Sequence, residues 1–280
     1  MSGAISRRAA LGGLAVLVAA GRAGATTIMV DPPLRGPLIQ GGFALGSTWA
    51  DALIMLDGVE IGHNNGHYLL AFDRDAKPTA DLVIRRKGVS EDRRTLTIAP
   101  RAWRIEHVDA PFHPPAMPDE AFAALRKEEL ARIDAARMAN ASVDGWRQSF
   151  QWPAKGRISG LFGSQRTYRG GIAGSYHGGT DIALPQGTTY AAPADGVVTL
   201  AADRPFTLEG NLLMLDHGMG LVSAFLHSSA LLVKEGDRVA QGQPVGQVGM
   251  TGRASGPHLH WGMRWREARL DPLLFAPALP

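Results

Sequence analysis

The chain has 280 residues, of which 45% are hydrophobic and 20% charged, and its formal net charge is +3. This composition is typical of a globular protein, and the length suggests two domains. The absence of cysteine excludes a disulfide framework, a thiolate nucleophile, a cysteine-ligated metal and a cysteine-linked lipid anchor.

Residues 1–25 have the features of an export signal. Arg7 and Arg8 precede an apolar run over residues 9–20, and Ala23-Gly24-Ala25 is a small-residue cleavage pattern. The apolar run is too short to span a bilayer comfortably, so we expect no stable membrane anchor after cleavage. The arginine pair also partly resembles a twin-arginine signal, and both export routes stay open. The predicted location is the periplasm, the cell envelope or the extracellular space.

Removal of this signal changes the charge balance. It carries Arg7, Arg8 and Arg22 and no acid, so the remaining 26 basic residues face 26 acidic ones. The mature protein is then formally neutral, which gives no reason to predict a nucleic-acid partner. The sequence leaves the oligomeric state open.

Residues 32–110 predict a small all-β domain. Asp57-Gly58 is a strong signal for a two-residue hairpin, and Asn65-Gly66 separates the next pair of strand candidates. Short strands with a turn every 8–12 residues or so favour an immunoglobulin-like sandwich. His63 and His67 flank a turn, but without a third ligand nearby we interpret them as hairpin surface.

Residues 111–145 predict a linker followed by a helix. Four prolines mark the linker, at positions 111, 114, 115 and 118. The segment from Pro118 to about Asn140 is rich in alanine, glutamate, arginine and lysine, which favour a helix. We expect a connecting helix that lies against one of the domains, with a mobile gate over an active site as the alternative.

Residues 146–280 predict a second domain, made of mostly antiparallel β-structure. Strand candidates cover residues 196–200, 212–215 and 221–226, and glycine-containing turns separate them. No long amphipathic helix pattern occurs in this part of the sequence.

Five polar residues in this domain form a candidate site: His177, Asp181, His227, His258 and His260. His177 and Asp181 are four residues apart, and two histidines that alternate on one strand, such as His258 and His260, point to the same face. A catalytic zinc takes three histidine or carboxylate ligands and keeps one open position. Each piece alone also fits a structural histidine, so spacing by itself does not decide between the two interpretations.

Two motifs resemble the signatures of the lysostaphin/LytM-type zinc endopeptidases. The first is His177-Gly178-Gly179-Thr180-Asp181 with Ala192-Pro193-Ala194-Asp195-Gly196 after it, and the second is Gly256-Pro257-His258-Leu259-His260-Trp261. Phe225-Leu226-His227 lies between them, and the resemblance covers roughly residues 152–275.

The resemblance implies one Zn²⁺ per chain, held by His177, Asp181 and His260. It leaves His227 and His258 beside the reacting water as acid–base groups. The implied activity is a metalloendopeptidase acting on peptide cross-links between peptidoglycan stem peptides, without saying which bond is cut. It implies nothing for residues 32–110.

The sequence departs from the family pattern at one position. Relatives often place a tyrosine six residues before the first zinc histidine, where this chain has Gly171. Tyr168 and Tyr176 are candidates for that role, and neither is assigned. We expect residues 164–176 to form a loop at the rim of the cleft, and Asp216 and His217 to be structural.

Two other functions remain as alternatives. A degenerate, metal-free module of the same type would bind or activate a partner, although all five site positions are filled here. A lipoyl- or biotinyl-like carrier domain would share hairpins such as residues 233–242. The turn lacks the usual lysine motif, which argues against that reading.

Overall fold

The computed structural model describes residues 33–110 and 120–277, and these lie within one compact unit. The predicted export signal and the four linker prolines lie outside the described residues. Among the described helices, none is long and apolar enough to cross a membrane. The fold is mainly β, as predicted.

The N-terminal part contains β1 (Phe43–Ser47), β2 (Leu53–Leu56), β3 (Val59–Ile61), β4 (His67–Ala71), β5 (Thr79–Arg85), β6 (Asp92–Thr97) and β7 (Ile105–His107). Strands β3-β2-β5-β6 form an antiparallel sheet, and β1 pairs with β4. Alternating residues such as Ile54, Leu82 and Ile84 are buried, so each strand turns one side to the core. The immunoglobulin-like class stays a prediction.

The predicted hairpin at Asp57-Gly58 is confirmed. Both residues have positive φ, at 49° and 79°, and Leu56 pairs with Val59 across the turn. A turn of this kind matches the right-handed twist of the strands, and glycine adopts it without steric cost. His63 lies at the next turn, where its Nδ1 accepts a hydrogen bond from Gly66 N at 3.1 Å.

The predicted helix is α1 (Glu120–Met138). Ile133 and Ala136 pack against apolar side chains of the C-terminal sheet, among them Leu212 and Met214. The buried carboxylate of Glu129 accepts hydrogen bonds from Thr207 N at 2.8 Å and Thr207 Oγ1 at 2.6 Å. The helix is therefore held to the C-terminal sheet by apolar packing and by a buried polar contact.

The C-terminal part contains β8 (Arg157–Gly160), β9 (Gln165–Tyr168), β10 (Ile172–Ala173), β11 (Gly179–Ala183), β12 (Thr189–Ala191), β13 (Gly196–Ala201), β14 (Asn211–Asp216), β15 (Leu221–Ser228), β16 (Ala230–Leu231), β17 (Arg238–Val239), β18 (Pro244–Gln247), β19 (His258–Trp265) and β20 (Ala268–Leu270). Short 3₁₀ turns cover Gly145–Arg147, Arg169–Gly171 and Pro272–Leu274.

One long antiparallel sheet dominates this part. Its order is β17-β13-β14-β15-β19-β11-β8, with β20 paired to β19, and a smaller sheet has the order β12-β18-β16. The sheet positions the candidate site because β11 and β19 are neighbours at its centre. The prediction of antiparallel β-structure is confirmed.

The two halves share a core and a sheet. Phe43 stacks on Phe275 with ring centroids 3.9 Å apart, and one cluster of buried apolar residues runs from Ala44 to Ala276. Strand β7 pairs in parallel with β9, which joins residues 105–107 to residues 165–167. The division into residues 32–110 and 146–280 stays a prediction.

His217 supports the core rather than the site, in line with its predicted structural role. It is fully buried, with Nδ1 2.8 Å from Asp195 O and Nε2 2.8 Å from Ser223 Oγ. Since a carbonyl oxygen only accepts, Nδ1 donates to Asp195. Burial lowers the pKa of His217 from 6.5 to about 4.

We therefore expect His217 to make folding stability depend on pH. The unfolded chain takes up a proton below pH 6.5 and the folded chain only near pH 4, so this stability is present above pH 6.5 and is lost as the pH falls. The advantage in unfolding free energy over His217→Gln should shrink by about 2–3 kcal/mol between pH 7 and pH 4.5. Urea unfolding measures it, and the exposed His107→Gln serves as control. A difference that does not vary with pH contradicts this assignment.

Candidate active site

Asp181 and His260 form a cross-strand pair at the centre of the long sheet. They are directly paired between β11 and β19, so both side chains lie on the same face. His260 Nδ1 lies 2.8 Å from Asp181 Oδ1. A Cβ atom at Gly160, on the neighbouring strand β8, would lie 2.3 Å from Asp181 Oδ2, so only glycine leaves room for the carboxylate here.

His177 joins this pair from the segment before β11. Its backbone N donates to Ser164 O at 2.8 Å, and its O accepts from Gly163 N at 2.9 Å. Its Nδ1 lies 3.1 Å from Leu161 O and must donate to that carbonyl. The lone pair of Nε2 is thereby free to face Asp181 and His260.

The three side chains form a close triangle that could hold a metal ion. His177 Nε2 lies 3.1 Å from both Asp181 Oδ1 and His260 Nδ1. Tetrahedral zinc with bonds of about 2.0–2.2 Å places its ligand atoms roughly 3.3 Å apart, so a small opening of the triangle would admit it. Two imidazoles and a carboxylate are also a donor set that zinc accepts. The residues therefore fit the ion.

The charges in the triangle favour a cation. Burial acts to raise the pKa of Asp181, but hydrogen bonds from His177 and His260 outweigh it and hold that pKa far below its usual range. Burial lowers the pKa of His260, and Asp181 only partly opposes this. An ionised carboxylate beside a largely neutral imidazole gives the triangle a negative charge to balance.

His227 reaches the site through a distorted backbone. Leu226 pairs with His260 and shares its face, so strict alternation would put His227 on the opposite face. Instead His227 has φ of +67°, near a register shift between β14 and β15, and its ring lies 5.0 Å from that of His258. This conformation is uncommon and costs energy for a residue other than glycine, and such strain occurs at functional sites.

His227 and His258 share one arrangement. His227 Nδ1 donates to Thr251 O at 2.8 Å, and His258 Nδ1 donates to Gly256 O at 2.8 Å. Each ring therefore keeps the unprotonated Nε2 of its neutral form available, and His258 Nε2 lies 3.8 Å from Asp181 Oδ1. Burial lowers the pKa of His227, so that its neutral form is favoured.

All five candidate residues are thus brought together by the fold. His177, Asp181 and His260 form the triangle, and the rings of His227 and His258 lie beside it. Which of them hold a metal and which transfer protons stays a prediction at this point.

A cleft of about 1030 Å³ opens beside His177 and Asp181. One wall is the rim segment, which we define as residues 161–176, and the opposite parts include Arg253 as well as Arg104 and Glu106 from the N-terminal half. Pockets of this size hold a drug-sized ligand or a short peptide. The sequence predicted a rim at residues 164–176 but not the contribution of residues 104–106.

Arg74 is a residue of this region that the sequence analysis missed. Its guanidinium is buried, donates from Nε to Gly163 O at 3.0 Å and from Nη2 to Gln165 Oε1 at 3.0 Å. It also lies over the rings of Trp103 and Tyr176, at 5.2 and 4.8 Å. Arg74 thereby fixes the same short segment whose backbone holds His177. No local motif marks a single arginine for such a role.

Tyr176 belongs to this support. Its ring also lies 5.3 Å from Arg269, and its hydroxyl lies 3.5 Å from Asp73 Oδ1. Burial raises the pKa of Tyr176. Tyr168 lines the cleft. A catalytic tyrosine stays unassigned.

An antiparallel sheet that presents two histidines and an aspartate around one point defines a candidate mononuclear metal centre. Residues 175–272, which contain all five candidate residues, match the model of peptidase family M23. The C-terminal part of this chain is a peptidase family M23 domain, and the resemblance inferred from its two motifs is confirmed.

Relatives with different roles share this domain. Peptidoglycan DD-endopeptidase ShyA of Vibrio cholerae is 39% identical over 121 residues, which are 42% of this chain and 28% of ShyA. Murein hydrolase activator NlpD of Salmonella dublin is 32% identical over 138 residues, which are 49% of this chain and 33% of NlpD. The chain spans about a third or less of these curated relatives.

A solved structure shares more of the fold. The crystal structure of a Pseudomonas aeruginosa protein assigned to peptidase M23 aligns with a TM-score of 0.66 and 26% identity. The alignment covers 86% of this chain and 96% of that one, so the likeness extends beyond residues 175–272 into the N-terminal half.

We expect Arg74→Ala to weaken both the fold and the metal triangle. It removes two hydrogen bonds to the rim segment, which should lower the unfolding free energy by about 3 kcal/mol. Because residues that orient ligands tune metal sites, affinity for added Zn²⁺ should fall by about 10–100-fold. Chelator competition and urea unfolding measure the two effects. Arg86→Ala is the matched control, since Arg86 also stacks on an aromatic ring, Trp49, but away from the rim. Unchanged zinc affinity would limit Arg74 to a role in stability.

Proposed function

We propose that this protein is an exported zinc-dependent endopeptidase that hydrolyses peptide cross-links of bacterial peptidoglycan. The observation that carries the proposal is the triangle of His177, Asp181 and His260 with His227 and His258 beside it, at the edge of a cleft large enough for a peptide. The alternatives need fewer of these features.

In this proposal His177, Asp181 and His260 hold one Zn²⁺. Bound zinc lowers the pKa of water and polarises a carbonyl group. The chain supplies the orientation: Leu161 O fixes the ring of His177, and strand pairing fixes Asp181 opposite His260. Such support from outside the ligand set is typical of metal sites in enzymes.

His227 and His258 act as the acid–base pair. Each has Nδ1 bound to a backbone carbonyl, so Nε2 is the atom that takes up a proton and later delivers it to the leaving amine. The lowered pKa of His227 keeps it available as a base near neutral pH. After protonation, either imidazolium can stabilise the developing oxyanion.

The substrate class rests on the cleft, on the predicted export signal and on the relatives. Several relatives of this domain are named peptidoglycan DD-endopeptidases. Arg104, Arg166 and Arg253 line the cleft and would attract an acidic peptide. Stem peptides of peptidoglycan carry free carboxylates and meet this requirement.

A second candidate function is activation of another hydrolase. The similarity to NlpD, which is named a murein hydrolase activator, favours it. An activator needs neither metal nor acid–base groups, whereas this chain has a complete set with matched hydrogen bonds. Activity of the purified protein separates the two functions.

The decisive experiment is digestion of purified sacculi, followed by mass spectrometry of the released muropeptides. We expect loss of cross-linked species in the presence of Zn²⁺, inhibition by a chelator and recovery on adding zinc back. Release by the chelated protein would end the zinc mechanism. If zinc-loaded protein releases nothing but stimulates a separate hydrolase, the activator function is correct.

Variants separate ligands from acid–base groups. His260→Ala removes one of three ligands, so zinc should be lost or bound much more weakly. His227→Ala and His258→Ala should keep zinc but lower turnover by about 10²–10⁴-fold. Metal content and turnover are measured on the same preparations, with the exposed His107→Ala as the matched control.

Two results would contradict this division of roles. Loss of zinc in His258→Ala, with zinc retained in His260→Ala, would reverse the assignments of the two residues. Retention of both zinc and activity in all three variants would place the active site elsewhere.

A further inference from the structure

A second pocket adjoins the metal triangle on the side covered by α1. Its volume is about 220 Å³, and it lies between the helix and the face of the long sheet that carries His260. Ile133 and Arg137 line it from the helix, and Gly178, His260 and Gly262 line it from the sheet side. It differs in lining and position from the larger cleft beside His177 and Asp181.

The floor of the pocket is apolar. It is formed by alternate residues of two neighbouring strands, Leu212 and Met214 on β14 and Val222, Ala224 and Leu226 on β15. These residues share the face of His260, because Leu226 pairs with His260 and Ala224 with Gly262. The floor therefore fits a short aliphatic group.

The rim of the pocket is basic. Arg137, Arg264 and Arg269 all line it. Arg137 pairs with Asp134 and Arg264 with Glu267, and both acids are largely exposed to water. Arg269 contacts the ring of Tyr176, and no carboxylate among the described residues pairs with its guanidinium.

The three arginines repel one another at this rim. Burial lowers the pKa of Arg137, and the charge of Arg264 lowers it further, against the opposing effect of Asp134. Glu209 also lines the pocket, but its carboxylate is bound by Arg126 at 2.6 and 2.8 Å. An anion placed between the arginines would relieve their repulsion.

His260 presents a donor to the same pocket. Its Nδ1 faces Asp181 and His177, while a Cβ atom added at Gly262 would lie 3.7 Å from its Nε2. Within residues 33–110 and 120–277, no acceptor binds His260 Nε2. Metal-ligating histidines usually donate their second N–H to a carboxylate, a carbonyl or water.

We propose that this pocket binds a carboxylate carried on a short aliphatic residue, such as the C-terminal residue of a peptide product or substrate strand. The arginines and His260 Nε2 bind the carboxylate, and the apolar floor binds the side chain. The proposal rests on the proposed function and adds a specificity subsite to it. A volume of about 220 Å³ equals about seven water molecules, which is room for one small residue and not for a folded partner.

Gly262 keeps this pocket open. It follows His260 by two positions on β19, so a side chain there would project into the pocket. Its backbone lies outside the left-handed region, and the nearest atom to an added Cβ is Gly178 O at 3.6 Å, which is ordinary contact. Alanine is therefore tolerated by the fold while it narrows the pocket.

The test uses D-alanyl-D-alanine and its C-terminal amide as matched probes, with binding measured by calorimetry. We expect the amide to bind at least about tenfold more weakly, because it lacks the charge that the arginines recognise. Arg137→Met should weaken binding of the dipeptide to a similar degree. Arg132→Met is the control, since Arg132 lies on the same helix but packs on Phe206 outside the pocket.

A second pair of variants tests the volume. Gly262→Ala should weaken dipeptide binding several-fold, whereas Gly62→Ala, where an added Cβ meets only Met219 at 3.9 Å, should leave it unchanged. Zinc content is measured in each preparation. Equal binding of dipeptide and amide, or binding unaffected by both Arg137→Met and Gly262→Ala, overturns the subsite.

Two further arms remove other sources of the signal. Binding that disappears with a chelator but survives Arg137→Met means that the carboxylate binds the metal, which overturns the proposal. Inorganic phosphate that competes as well as the dipeptide indicates a general anion site, which also overturns it. The proposed function fails separately: protein that binds the dipeptide through Arg137 but never cleaves sacculi keeps the pocket and loses the endopeptidase.

Discussion

The rest of the site depends on one ionised carboxylate, that of Asp181, held between two imidazoles. Its Oδ1 lies 3.1 Å from His177 Nε2 and 2.8 Å from His260 Nδ1. Neutral imidazoles cannot balance that charge, and full ionisation of an unbalanced buried carboxylate is costly. The arrangement therefore favours a cation at its centre, and each neighbouring element can be understood as holding one of the three side chains against this demand.

The supports of the triangle come from distant parts of the chain. Strand pairing aligns Asp181 with His260, while the short segment at Leu161–Ser164 holds His177 through backbone bonds. That segment is fixed in turn by Arg74 and by the pairing of β7 with β9. The N-terminal half is thus part of the structure that positions a metal ligand, in contrast to the expectation that its role is separate from the chemistry.

The sequence predicted what depends on local patterns. The Asp57-Gly58 hairpin, helix α1 and the five site residues all follow from turn chemistry, composition or motif. Other features depend on contacts distant in sequence, or on backbone distortion. His227 is on the cleft side only because its φ is +67°, which alternation along a strand does not predict. Arg74 and the parallel β7–β9 pair have no signal in the sequence, because each is defined by a partner about 60–90 residues away.

Chemistry and selectivity are thereby encoded at different ranges along this chain. The proposed reacting groups all lie within residues 175–272, the part that matches the family model. The walls around them come from elsewhere: residues 104–106 border the cleft, and α1 closes the pocket next to His260. Because the likeness to the Pseudomonas aeruginosa structure covers 86% of this chain, its shared fold includes residues beyond the matched domain. Selection on the walls could therefore change which peptide is bound while the metal triangle stays constant.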